Sequence, residues 1–162
     1  ENNINKIVIN YFWKDKLEKN VYGKKIKKEK MEKQKNILKF LNRFNHDQIE
    51  FFIIYPLAQQ KNHVPRELLR RLKRKNKDLI IKRDFVEIKK DLKNVEKFLD
   101  EIEIDNSKVI KINPNKYLCD SFIKNYCVGN NDKEIFYIDS HHLSNAGSEF
   151  ILKRSLFKIM KF

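Results

Sequence analysis

Apolar and polar positions along the 162-residue chain switch repeatedly between a period of two and a period of three to four. Residues 6–13 (KIVINYFW) predict a buried strand, and residues 49–55 (IEFFIIY) a stronger one, apolar on both faces and stopped by Pro56. A strand apolar on both faces belongs in the middle of a parallel sheet that is covered on both sides. Between the two, residues 28–44 carry Met31, Gln34, Leu38, Leu41 and Phe44 at steps of three and four, with lysines opposite, which predicts an amphipathic helix. A short helix is predicted from Val64, with Pro65 in its first turn and Leu68, Leu69 and Leu72 on its apolar side. A second long helix over residues 85–102 is carried by Val86, Leu92, Val95, Phe98, Leu99 and Ile102. The strand Lys108–Ile112 closes on Asn113-Pro114, and residues 115–131 read as irregular. A short strand over residues 134–138 then leads to a final helix over residues 145–160, with Ser144 as its N-cap.

Strands alternating with helical crossovers of a dozen or more residues imply an α/β fold, a parallel sheet sandwiched between helices, with ligands at the carboxyl ends of the strands. No internal repeat or low-complexity linker divides the chain, so residues 1–162 are read as one domain. Gly23, Gly129 and Gly147 are the only glycines, which excludes a glycine-rich phosphate loop. The longest apolar run, residues 51–58, contains Pro56 and falls far short of the ~20 residues that span a bilayer. The first ten residues alternate like a strand rather than a signal peptide, and a start at Glu1 instead of Met is read as a cut from a longer protein.

The formal net charge of +14 invites a nucleic-acid reading, but composition weakens it. Bases divide into 29 Lys and only 7 Arg, while Ile and Asn are also abundant and Ala occurs twice, a skew that looks global rather than functional. Residues 14–39 carry a net +7 and residues 61–83 a net +8, which leaves the rest near neutral. Both segments read first as solvated helix faces, and second as a surface for anionic polymers or lipid head groups. The first lacks the interleaved aromatics of a base-stacking platform, so no nucleic-acid partner is expected. Cys119 and Cys127 are either two free thiols or a short-loop disulfide, and their spacing does not choose between them. With two cysteines and scattered histidines apart from His141-His142, no metal site is read.

Chemistry concentrates in residues 136–148, FYIDSHHLSNAGS. Asp139 and His142 stand three apart between a strand and a helix, a spacing at which a carboxylate can accept from one imidazole nitrogen and leave the other as a general base. His141, two residues from Asp139, is less suited to that contact and is the rival base.

The run from Asp139 to Gly147 resembles the last block of the SGNH hydrolases, and in particular the extracytoplasmic SGNH domain at the C-terminus of membrane-bound sugar O-acyltransferases, the acyltransferase 3 family. The stretch from Tyr117 to Cys127 is similar to that domain's paired-cysteine loop; Ile53-Ile54-Tyr55-Pro56 with Val64-Pro65, and residues 7–13, resemble two of its strands. The resemblance implies a three-layer α/β/α sandwich of the SGNH/flavodoxin-like type with a mainly parallel sheet, here incomplete at its N-terminus. It implies transfer of an acyl group, usually acetyl, from an acetyl-CoA-derived donor used by the full-length enzyme to hydroxyls of a cell-surface polysaccharide or lipopolysaccharide O-antigen. It makes Asp139 and His142 the last two members of a Ser-His-Asp triad and Cys119–Cys127 a disulfide; no cofactor is expected on this segment. The implied location is the periplasmic face of a bacterial inner membrane, tethered through an upstream membrane domain. No Gly-Asp-Ser occurs in the sequence, so the chain is read as the C-terminal portion of such a domain, with its serine outside and no activity alone. A free-standing SGNH esterase and a basic module for anionic polymers are the alternatives.

Overall fold

A computed structural model describes residues 5–10, 25–43, 49–104 and 107–157. Along the chain run β1 (Lys6–Asn10), α1 (Lys25–Asn42), β2 (Glu50–Ile54), α2 (Val64–Lys73), β3 (Lys82–Asp84), α3 (Phe85–Asp100), β4 (Lys108–Ile112), α4 (Asn115–Leu118), β5 (Tyr126–Val128) and α5 (Asn145–Arg154). They divide into two compact units, Glu1–Pro56 with Leu92–Asn113, and Leu57–Asp91 with Pro114–Phe162.

The first unit is organised by β2. Phe51, Phe52 and Ile53 are completely buried, as the run of apolar residues on both faces requires of a central strand. β2 lies between β1 and β4 and is parallel to both, so the expected parallel sheet is present. Register places Ile7, Phe51 and Val109 in one row and Ile9 beside Ile53 in another. Because side chains alternate along a strand, Phe51, Ile53 and Tyr55 point the same way. They share one core with Leu41 of α1 and with Val95, Phe98 and Leu99 of α3. Each fully buried side chain of this size contributes about 1.5–3 kcal/mol of transfer free energy. The Tyr55 hydroxyl donates to Asp100 Oδ1 at 2.5 Å, and burial followed by that carboxylate pushes its pKa up. On α1, Leu38 and Leu41 face the core while Lys33, Lys35 and Lys39 are exposed, as the periodicity predicts. Residues 11–13 of the predicted first strand, the Met31 side chain, Phe44, residues 158–160 of the final helix and residues 14–24 of the first basic segment lie outside what the structure describes.

The second unit contains a two-stranded antiparallel pair, β3 and β5, that the sequence pattern does not announce. Arg83 stands opposite Cys127, and Cys127 is bridged to Cys119 by a disulfide. The bridge closes a short loop, and the chain-entropy model assigns it about 2–3 kcal/mol. Chemical denaturation with and without reductant should show a loss of that size; an unchanged midpoint would show that the bridge adds nothing to stability.

On α2 the expected apolar side is wrong. Leu68 packs into the core, but Leu69 and Leu72 are about half exposed, and the inward positions go to Val64 and Glu67. Buried Glu67 is tolerable because Arg70 grips it with two bonds, at 2.7 and 2.8 Å, and Arg71 adds a third at 3.1 Å. Those guanidinium groups lower its pKa to about 2. Arg71 also donates to the carbonyls of Asp78 and Ile80, which folds the basic turn after α2 back onto the helix. On α3 the inward residue of the first turn is Ile88, while Val86 is 70 % exposed. Residues 134–138 are not a ladder strand: they make isolated bridges, from Asn130 to Ile135 and from Tyr137 to Leu143, because their backbone groups bond to two different segments, residues 129–131 and 142–144.

Candidate active site

Phe136 and Tyr137 anchor the Asp139 loop by complete burial in a core shared with Val64, Ile81, Leu118, Val128 and Ile151. A buried hydroxyl needs a partner, and Tyr137 donates to the Ala58 carbonyl at 2.7 Å; the Ala58 N–H in turn donates to Asn115 Oδ1 at 2.7 Å. Backbone bonds then close the loop: the Phe136 N–H reaches the Gly129 carbonyl, the Ile138 N–H the His142 carbonyl, and the Ser144 N–H the Phe136 carbonyl, at 2.9, 3.0 and 2.9 Å. From outside, the Val64 N–H donates to the Asp139 carbonyl at 3.0 Å and the Gln60 N–H to the Ser140 carbonyl at 2.8 Å. The start of α2 therefore braces the loop. Ser144 ends it as the predicted N-cap of α5, accepting from the Gly147 N–H at 3.0 Å and donating to the Ile135 carbonyl at 2.5 Å.

Inside this frame Asp139 does two things. Its Oδ1 accepts from the N–H groups of His141 and His142, both at 2.7 Å, which sets the turn. Its Oδ2 lies 2.6 Å from His142 Nδ1. Partial burial raises the Asp139 pKa, but the His141 N–H, the His142 ring and the His142 N–H together outweigh it and hold the carboxyl well below the usual range. An Nδ1–H donated to this carboxylate places the basic lone pair on Nε2, across the ring. The Asp139 side chain is 28 % exposed and that of His142 48 %, so the pair is within reach of a substrate. His141 sits differently: its Nδ1 is 3.0 Å from Ser140 Oγ and 3.5 Å from Asp139 Oδ1, and its ring centroid is 4.0 Å from that of His142. The two residues that spacing singles out are thus brought together, and the rival is turned toward Ser140.

Asp139, His141 and His142 also offer three metal-capable atoms within 4.8 Å of one another. Zinc ligands about 2.0–2.1 Å from the ion stand roughly 3.3 Å apart in a tetrahedron, whereas Asp139 and His142 are at hydrogen-bonding distance. The cluster as it stands is a carboxylate–imidazole pair. Four of the serines have other tasks: Ser121 donates to the Tyr117 carbonyl, Ser155 to that of Ile151, Ser140 meets His141 and Ser144 caps α5. Sequence reading missed the bracing by Gln60 and Val64, which uses backbone groups only and leaves no side-chain signal. The turn made by Asp139 did have one, an Asp whose carboxylate can accept from amides two and three residues on.

The family model described as the SGNH domain fused to AT3 domains matches residues 1–155. No curated protein and no solved structure matches significantly. The match takes in the parallel sheet, the disulfide-closed loop and the Asp139–His142 turn, and it is a match to a class of acyl-transfer and hydrolase domains. The chain belongs to the SGNH domains that are fused to acyltransferase-3 domains.

Proposed function

We propose that this chain supplies the His and Asp of a Ser-His-Asp triad that moves an acyl group, acetyl by preference, onto hydroxyls of a cell-surface polysaccharide or lipopolysaccharide. The observation that carries the reading is the 2.6 Å contact between Asp139 Oδ2 and His142 Nδ1 in a loop matched by the family model. In this scheme a serine from outside the 162 residues attacks the acyl carbonyl. His142 takes the serine proton at Nε2; as the bond from the acyl carbon to the donor breaks, His142 passes that proton to the departing donor group and is neutral again beside the acyl-enzyme. His142 then removes the proton of the glycan hydroxyl as it attacks, and the serine leaves with its proton restored. Asp139 stays ionised throughout, holds the ring and stabilises the imidazolium. The acyl donor is acetyl-CoA-derived and reaches the domain through an attached upstream membrane domain. The disulfide supports an oxidising compartment, and so an extracytoplasmic location. Among the described residues no helix is long and apolar enough to cross a membrane.

The test is Asp139→Asn in the full-length protein. Asparagine keeps an oxygen for the two backbone amides but presents an amide N–H₂ to His142 Nδ1, which favours the wrong tautomer. Transfer should fall roughly 10⁴-fold with the fold intact. Transfer at the wild-type rate would overturn the reading.

A further inference from the structure

α2 has an outward face that its own core does not explain. Leu69 and Leu72 are 53 % and 50 % exposed, one helical turn apart, on a ten-residue helix whose inward side is already satisfied by Val64, Glu67 and Leu68. Basic residues surround them. Arg66 and Lys73 lie beside Leu69 on the helix, and Arg74, Lys75 and Lys77 continue into the exposed turn. The acids of the segment do not neutralise these charges. Glu67 is buried and held by Arg70 and Arg71, and Asp78 pairs with Lys82 at 3.1 Å and, at 3.8 Å, with Arg71. Two leucines ringed by cations that form no ion pair among the described residues are the chemistry of a surface that meets phosphate head groups and the first methylenes beneath them. A soluble polyanion would be served by the cations and would have no use for the leucines.

We propose that this face of α2, built on Leu69 and Leu72 with Arg66, Lys73, Arg74 and Lys77 around them, docks the domain on an anionic lipid bilayer. The consequence for the site follows from two backbone bonds. The first residue of α2 donates to the Asp139 carbonyl, and Gln60, just upstream, donates to that of Ser140. A helix fixed on the bilayer therefore holds the Asp139–His142 loop at a set height above it. Docking is measured without turnover, so it stands or falls separately from the acyl-transfer reading.

Sedimentation of the 162-residue protein with phosphatidylcholine vesicles, with and without about 30 % phosphatidylglycerol, tests this. Binding should require the anionic lipid and weaken as salt rises. The triple variant Arg66→Gln/Lys73→Gln/Arg74→Gln should lose about 100-fold in affinity, at roughly fivefold for each cation. Leu69→Ser/Leu72→Ser should lose about tenfold while leaving circular dichroism and the disulfide unchanged. Equal binding to neutral vesicles would overturn the proposal. So would a leucine variant that binds like the wild type, or dextran sulfate bound as tightly as vesicles by both proteins, which would mark the face as a site for polyanions instead.

Discussion

His142→Ala should lower acyl transfer by the full-length protein by about four orders of magnitude or more, while His141→Ala leaves most of it. The size follows from the loss of the group that moves protons in both half-reactions; triad members act as a unit, so removing one removes nearly all their joint effect. The difference between neighbours follows from geometry. Only His142 has Nδ1 on the outer oxygen of Asp139, at 2.6 Å, whereas the Nδ1 of His141 is nearer to Ser140 Oγ. Neither change should unfold the loop, because Asp139 Oδ1 holds the backbone amides of both residues, and alanine keeps those. Initial rates of acetyl transfer in membranes, beside thermal melts of each variant, make the comparison. Equal losses, or the larger loss at His141, would mean that the base is misassigned.

Gly147→Ala should cost about 3–5 kcal/mol, a large fraction of the stability of a domain this size. A Cβ at this position would lie 2.1 Å from the Phe136 carbonyl oxygen and under 3 Å from its C and Cα. All three are backbone atoms, so no side chain can swing aside. Phe136 cannot retreat either, since its N–H is bonded to Gly129 and its carbonyl to the Ser144 N–H. Gly129→Ala is the useful contrast, because its nearest contacts are the methyls of Val64 at 2.9 and 3.2 Å, which can shift at lower cost. Urea denaturation should rank the two with Gly147→Ala well below Gly129→Ala; similar midpoints would show that α5 can slide away from Phe136.

Elements whose burial follows a simple period were legible in the sequence. β2 declares itself by apolar residues on both faces, and α3 by the steps through Leu92, Val95 and Leu99. β3 does not: Lys-Arg-Asp has no period, and those residues become a strand only because β5 lies opposite them, tied through Cys127 to Cys119. Residues 134–138 fail in the other direction, a short apolar run like a strand whose amides bond to separate loops. On α2, hydrophobicity pointed the wrong way because an acid clamped by two arginines can occupy an inward position that leucine would otherwise take. The Asp139–His142 pair was legible because both members lie within one turn; its braces at Gln60 and Val64 come from a distant segment and use only main-chain atoms.

One carboxylate shapes the Asp139 turn and also orients the ring it serves. The two duties decay at different speeds when selection relaxes. A descendant released from catalysis can lose the His142 side chain, since it is the main chain at 142 that is bonded into the turn, but it cannot replace Asp139 by a residue without a side-chain oxygen and keep the same loop. Lapsed copies of this domain should therefore carry an acid or its amide at position 139 beside almost anything at 142, a fossil of chemistry no longer performed.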